Sequence, residues 1–118
     1  KSRIFVFTPK NDVIDLPENS TAIDFAYHIH TEIGNKCIGV RINDKMSKVD
    51  AELKNGDFVE ILTDKNRKIP NPDWLNFVKT NTAKDKIRAA LSRSENNKMS
   101  SFKNKVVKKF NNYVRNKR

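Results

Sequence analysis

Thr21–Asn43, TAIDFAYHIHTEIGNKCIGVRIN, reads as one capped helix, a glycine stop and a strand, and it holds both histidines of the chain. The Thr21 hydroxyl can accept from a free N–H of the first turn. Asp24, three residues on, completes a capping box in which Asp replaces the usual Glu. Gly34 is expected to end the helix. At about 100° per residue, Phe25, Ile29, Ile33, Ala26, Ile23 and Tyr27 follow one another round a broad apolar arc, with Asp24, His28, Thr31 and Glu32 opposite. His28 is therefore expected in solvent. His30 projects between Ala26 and Ile23, where its ring must find a hydrogen bond or sit at a rim facing a partner.

Upstream, RIFVFT at 3–8 is a β-branched and aromatic run, and Pro9, Lys10, Asn11 and Asp12 supply a turn before VIDL at 13–16, a strand–turn–strand signal. Downstream of the helix, CIGVRI at 37–42 leads through Asn43 and Asp44 into a short strand at 45–47. Residues 49–53 read as a connector. After the Asn55-Gly56 turn, DFVEILT at 57–63 alternates polar and apolar as a half-buried strand does. One amphipathic helix then has to cover the sheet, and the last strand has to return beside the first. The pattern predicts an α+β domain of β-grasp, ubiquitin-like architecture over residues 1–64.

From residue 65 the composition changes to a basic helical segment, 65–118. A polar connector carrying Pro70 and Pro72 precedes a short helical cluster of Trp74, Leu75, Phe77 and Val78. A helix is expected to open at Thr82, with Ile87, Ala90 and Leu91 on one face, and to be interrupted at SENNK, 94–98. Beyond it, Phe102, Val106, Val107, Phe110, Tyr113 and Val114 form a helical stripe flanked by lysines, which needs a partner. Residues 1–63 carry 8 Lys/Arg against 10 Asp/Glu, a net of −2, whereas residues 64–118 carry 16 against 4, a net of +12. All the excess positive charge therefore lies in the second half, the electrostatic footprint expected for phosphates or an acidic partner.

No apolar run approaches membrane-spanning length, so a soluble chain with no membrane partner is expected. The opening Lys-Ser-Arg-Ile-Phe-Val is already strand-like, as in a piece of a longer protein. Cys37 is the single cysteine; it excludes an internal disulfide, fits a reducing, cytoplasmic compartment, and reads as a small buried hydrophobe. No glycine-rich phosphate loop, HExxH motif or GxSxG elbow occurs, and there is no His-Asp dipeptide. His28 and His30 diverge by about 200° on a helix and cannot share a metal. No catalytic constellation, metal site or cofactor site is expected. Binding is better supported: His30, Asn35, Lys36 and the exposed backbone of Gly34 gather within a short arc, able to contact a phosphate backbone and offer a ring for stacking on a base.

Several stretches are specific. RIFVFTPKNDVIDLP at 3–17, AIDFAYHIHTEIG at 22–34, KCIG at 36–39 and NGDFVEI at 55–61 closely resemble the TGS domain of RelA/SpoT proteins, the family that makes and hydrolyses (p)ppGpp. DWLNFVKT at 73–80 and AKDKIR at 83–88 resemble the segment that follows TGS in those proteins rather than in synthetases or GTPases carrying the domain. The resemblance implies a β-grasp fold and a regulatory, non-catalytic fragment of a GTP pyrophosphokinase or (p)ppGpp hydrolase, its catalytic domains lying upstream. It also implies contact with the 3′ CCA end of an uncharged tRNA on the ribosome, and the histidine of that motif falls on His30. Residues 18–20 and Asn35 depart from the commoner forms, which have glycine-containing and histidine-containing turns there. Two other readings stay open: a protein-interaction module for acyl carrier protein, and an internal regulatory contact with the parent's catalytic half.

Overall fold

The computed structural model describes residues 2–116; Lys1, Lys117 and Arg118, at the outer ends of the two expected segments, lie outside the described residues. Strands β1 (Arg3–Phe7) and β2 (Val13–Pro17) form an antiparallel hairpin. Strands β3 (Cys37–Ile42), β4 (Lys45–Ser47) and β5 (Val59–Thr63) form an antiparallel sheet in the order β4-β3-β5. The two sheets meet where the end of β1 runs parallel to the chain entering β5. There Phe7 and Phe58 form a bridge, the Phe7 N–H donates to Asp57 O at 2.8 Å and the Gly56 N–H donates to Phe5 O at 2.7 Å. The last strand thus returns beside the first, as the pattern requires, through one bridge rather than a full ladder.

The turns follow their residues. Asn43 and Asp44 both have positive φ, 53° and 67°, giving the primed two-residue turn whose twist matches a β-hairpin. Asn19 sits at φ 75°, so the stretch that departs from the commoner glycine-containing form still supplies a residue tolerant of the left-handed region.

Helix α1 (Ala22–Ile29) is buried on two sides. Ala22 and Phe25 join Ile4, Val6, Leu16, Val40, Leu53 and Val59 in one core. Ile23 and Tyr27 join Cys37, Trp74, Val78, Ala83 and Ile87 in a second. The second core is closed by a 3-10 helix at Pro72–Asn76 and by helix α3 (Asn81–Asn116), so the composition change at residue 64 does not coincide with a break in packing.

Three helical expectations are corrected. Asp24, though on the face opposite the apolar arc, is buried rather than facing solvent, because Lys79 and Thr80 cover it. Helix α3 opens at Asn81, one residue earlier than Thr82: the Thr80 hydroxyl accepts from the Ala83 N–H at 3.1 Å and caps the first turn. It also runs without interruption through 94–98; Ser, Glu, Asn, Asn and Lys are tolerable helix formers when neither Gly nor Pro is among them. No helix among the described residues is long and apolar enough to cross a membrane.

Candidate nucleic-acid interface

The capping box at Thr21 is present, with the Thr21 N–H donating to Asp24 Oδ2 at 2.8 Å, but the helix it opens is not continuous to Gly34. It stops at Ile29, His30 takes extended backbone, and a second short helix, α2 (Thr31–Asn35), follows. His30 serves both helices. Its N–H donates to Ala26 O at 3.2 Å, closing α1, and its ring Nδ1 accepts from the Glu32 N–H at 3.0 Å, capping α2. The imidazole here does what an Asn or Asp side chain does at other N-caps.

The break folds α2 back on α1. In an unbroken helix Gly34 would lie about 10 Å beyond Tyr27 along the axis, out of reach of a ring that leans toward the helix N-terminus. With the break, Gly34 lies directly on the Tyr27 ring and the Tyr27 hydroxyl donates to Asn35 Oδ1 at 2.7 Å. Tyr27 itself is fully buried, and its ring fixes where α2 sits.

The four expected site residues therefore separate into different roles. His30 is exposed, not inside an apolar arc. With Nδ1 occupied as an acceptor, the neutral ring carries its proton on Nε2, which is left to donate outward. Gly34 is buried, which corrects its expected exposed backbone: its N–H donates to His30 O and it serves as packing space for Tyr27. Asn35 is half-buried and spends its amide oxygen on Tyr27, leaving the amide nitrogen to donate elsewhere. Lys36 caps the far end of α2, about 9 Å along the axis from His30, and pairs with Glu32 at 3.9 Å. Such a surface i,i+4 pair contributes only about 0.3–0.5 kcal/mol, so Lys36 is easily released to an anionic ligand. His28, as expected, is exposed.

Two buried groups tie this site to the second core. Burial, reinforced by the neighbouring Cys37 and partly opposed by Arg67, holds the Tyr27 hydroxyl well above its ordinary value. Burial likewise raises the Cys37 thiol above 9.0. Both are acids whose neutral forms the fold keeps, so their contribution is intact below pH 9.0 and is lost as pH rises, because the unfolded chain ionises first. Urea unfolding between about pH 8 and pH 11 should show stability falling with pH. The double variant Cys37→Ala/Tyr27→Phe should flatten that fall; an equally steep fall would assign it to other groups.

Residues that sequence patterning does not single out complete the surface. Asn35 faces a groove of about 430 Å³ shared with Lys68, Arg93, Ser94, Asn97 and Lys98. Lys68 comes from the connector and the others from α3, so only the tertiary fold brings them to Asn35.

A β-grasp sheet crossed by one capped helix, followed by a short helix capped by histidine, is the architecture on which these residues are set. The sequence profile of the TGS domain matches residues 4–63, and the chain belongs to the TGS family. Its relatives narrow the setting. It is 44% identical over 106 residues to a guanosine-3′,5′-bis(diphosphate) 3′-pyrophosphohydrolase of Aquifex aeolicus, covering 90% of this chain and 15% of that protein. It is 51% identical over 86 residues to the bifunctional (p)ppGpp synthase/hydrolase RelA of Mycobacterium tuberculosis, covering 72% and 12%. It is 48% identical over 94 residues to a GTP pyrophosphokinase of Streptomyces antibioticus, covering 79% and 11%. The chain thus matches RelA/SpoT-type proteins, and spans about an eighth of the length of these relatives. The match of 106 residues runs beyond the TGS profile, so it includes part of the segment that builds the second core.

Proposed function

We propose that this chain is the regulatory TGS segment of a RelA/SpoT-type alarmone enzyme and that His30 reads the 3′ CCA end of uncharged tRNA in the stringent response, on the ribosome. The observation that carries the reading is the placement of His30: exposed, ring orientation fixed by the Glu32 N–H, one Nε2–H left to donate. A ring held in one rotamer loses little entropy on stacking against a base. A free terminal ribose hydroxyl fits beside it, while an esterified amino acid clashes or leaves a polar group unpaired. Lys36, at the other end of α2, meets a phosphate of the same strand. The fragment performs no catalysis; GTP pyrophosphokinase or hydrolase activity belongs to other domains of a cytoplasmic parent, a setting that the lone free thiol of Cys37 suits.

Binding of uncharged and aminoacylated tRNA should differ for the wild-type chain, and His30→Ala should remove that difference with a loss of about 10-fold in affinity for the uncharged form. Equal affinities for both tRNAs in the wild type would return His30 to a purely structural cap. A second reading, an interaction module for acyl carrier protein or for the parent's catalytic domains, draws on the stripe from Phe102 to Val114, where Phe102 is 63% and Phe110 64% exposed. Phe102→Asp/Phe110→Asp in the full parent should then alter basal activity without RNA; unchanged activity counts against it.

A further inference from the structure

The face of α3 that buries Ala83, Ile87 and Ala90 in the second core does not end where the core does. Continued at 3.6 residues per turn it carries Ser94, Asn97, Lys98, Ser101, Lys105 and Lys108. The apolar stripe from Phe102 to Val114 is centred nearly half a turn away and cannot close over it. The first part of this polar face bounds the groove at Asn35 and Lys68, and the next part bounds a second groove of about 380 Å³ at Ser101, Lys105 and Lys108. Apart from Ile69, Ala90 and Val107, the lining groups of both grooves are lysine, arginine, serine and asparagine, with no carboxylate on either. Two grooves elsewhere on the molecule contain Asp12 and Glu60, and Asp15 and Asp24. Among the described residues, the ion pairs leave out Lys68, Arg93, Lys98, Lys105 and Lys108.

We infer that this track, from Asn35 and Lys68 along α3 to Lys108, seats the phosphate backbone of a single nucleic-acid strand. A lining that pairs cationic and amide donors with no carboxylate selects an anion. Its length selects a polymer: Arg93 to Lys108 spans about 22 Å of helix, several phosphates long and too extended for a single nucleotide. The backbone seat carries no sequence preference, and it holds whether or not His30 reads a 3′ terminus, because the track begins at the opposite end of α2 from that ring.

The test uses the whole chain and a single-stranded RNA oligonucleotide ending in a 3′-phosphate, so that no free terminal hydroxyl contributes. Lys68→Glu/Arg93→Glu/Lys98→Glu is compared with a control of equal charge change, Lys45→Glu/Lys54→Glu/Lys103→Glu, across a range of salt concentrations. All six side chains are exposed, so both variants should fold. The track variant should lower the slope of log affinity against log salt by about 2, at about 0.7 for each phosphate that is no longer neutralised. The control should keep the wild-type slope. Equal weakening in the two triple variants would reduce the track to diffuse charge and overturn the inference. Displacement of the oligonucleotide by guanosine tetraphosphate at comparable affinity would overturn it in favour of a nucleotide pocket.

Discussion

Asp24→Ala should lower the unfolding free energy of the chain by about 3–5 kcal/mol, because several buried donors lose their acceptor at once, at about 1–3 kcal/mol for each one left unsatisfied. The carboxylate is 1% exposed and is surrounded by donors. Oδ2 accepts from the Thr21 N–H at 2.8 Å, the Thr21 hydroxyl at 2.9 Å and the Lys79 N–H at 3.0 Å. Oδ1 accepts from the Thr80 N–H at 2.9 Å and the Thr80 hydroxyl at 2.8 Å. The same side chain therefore caps α1 and anchors the turn that starts α3. Asp24→Asn should be nearly as costly, since its amide would point two hydrogens at donors. Urea unfolding of the two variants measures the loss, and a double-mutant cycle with Thr80→Val isolates the part that joins the two segments. A loss below about 1 kcal/mol for Asp24→Ala would mean that water replaces the carboxylate without penalty, and the anchoring role would fall. Weakened attachment of α3 would also displace Arg93 and Lys98 from Asn35, so the RNA affinity proposed for that track should drop in step with stability.

The same residue marks how far sequence reading reaches. Its capping box is legible, because the partners lie three residues apart and the geometry is local. Its burial is not, because Lys79 and Thr80 are more than fifty residues away and nothing in a helical wheel records what covers the polar side. The strand order and the Asn43-Asp44 turn are legible for the same local reasons. The break at His30 is hidden by periodicity itself: the apolar spacing continues past residue 30, whereas in the fold the chain breaks there and sets Gly34 on Tyr27. The helical wheel thus singles out His30 as an awkward residue for a reason the fold does not bear out, since its ring is not wedged in an apolar arc. It caps a helix at the surface. The groove at Asn35 has no local signal at all, although the excess charge of residues 64–118 points to the half of the chain that supplies it.

Gly34→Ala should destabilise the chain by about 1–2 kcal/mol net of the helix-propensity gain, and the sign of the change distinguishes two accounts of that glycine. If Gly34 were a helix-terminating residue held in the left-handed region, its φ would be positive; Gly56 is the one glycine with positive φ among the described residues. At an ordinary helical position, alanine gains up to about 1 kcal/mol over glycine from propensity alone, so a position governed only by backbone conformation would be stabilised. Gly34 instead faces the Tyr27 ring so closely that an added Cβ would overlap ring carbons. That ring cannot yield cheaply: Tyr27 is fully buried in the second core and its hydroxyl holds Asn35. Inserting a methyl group into a packed contact of this kind costs about 1–3 kcal/mol, outweighing the propensity gain. Thermal or urea unfolding reads the sign. In a Tyr27→Leu background, where the facing side chain is flexible, Gly34→Ala should cost less than about 1 kcal/mol. A stabilised single variant, or an equal loss in both backgrounds, would show that the ring contact is not what requires glycine. Because α2 carries His30 at one cap and Lys36 at the other, the displaced helix moves both, and Gly34→Ala should weaken the discrimination proposed between uncharged and aminoacylated tRNA even at temperatures where the variant stays folded.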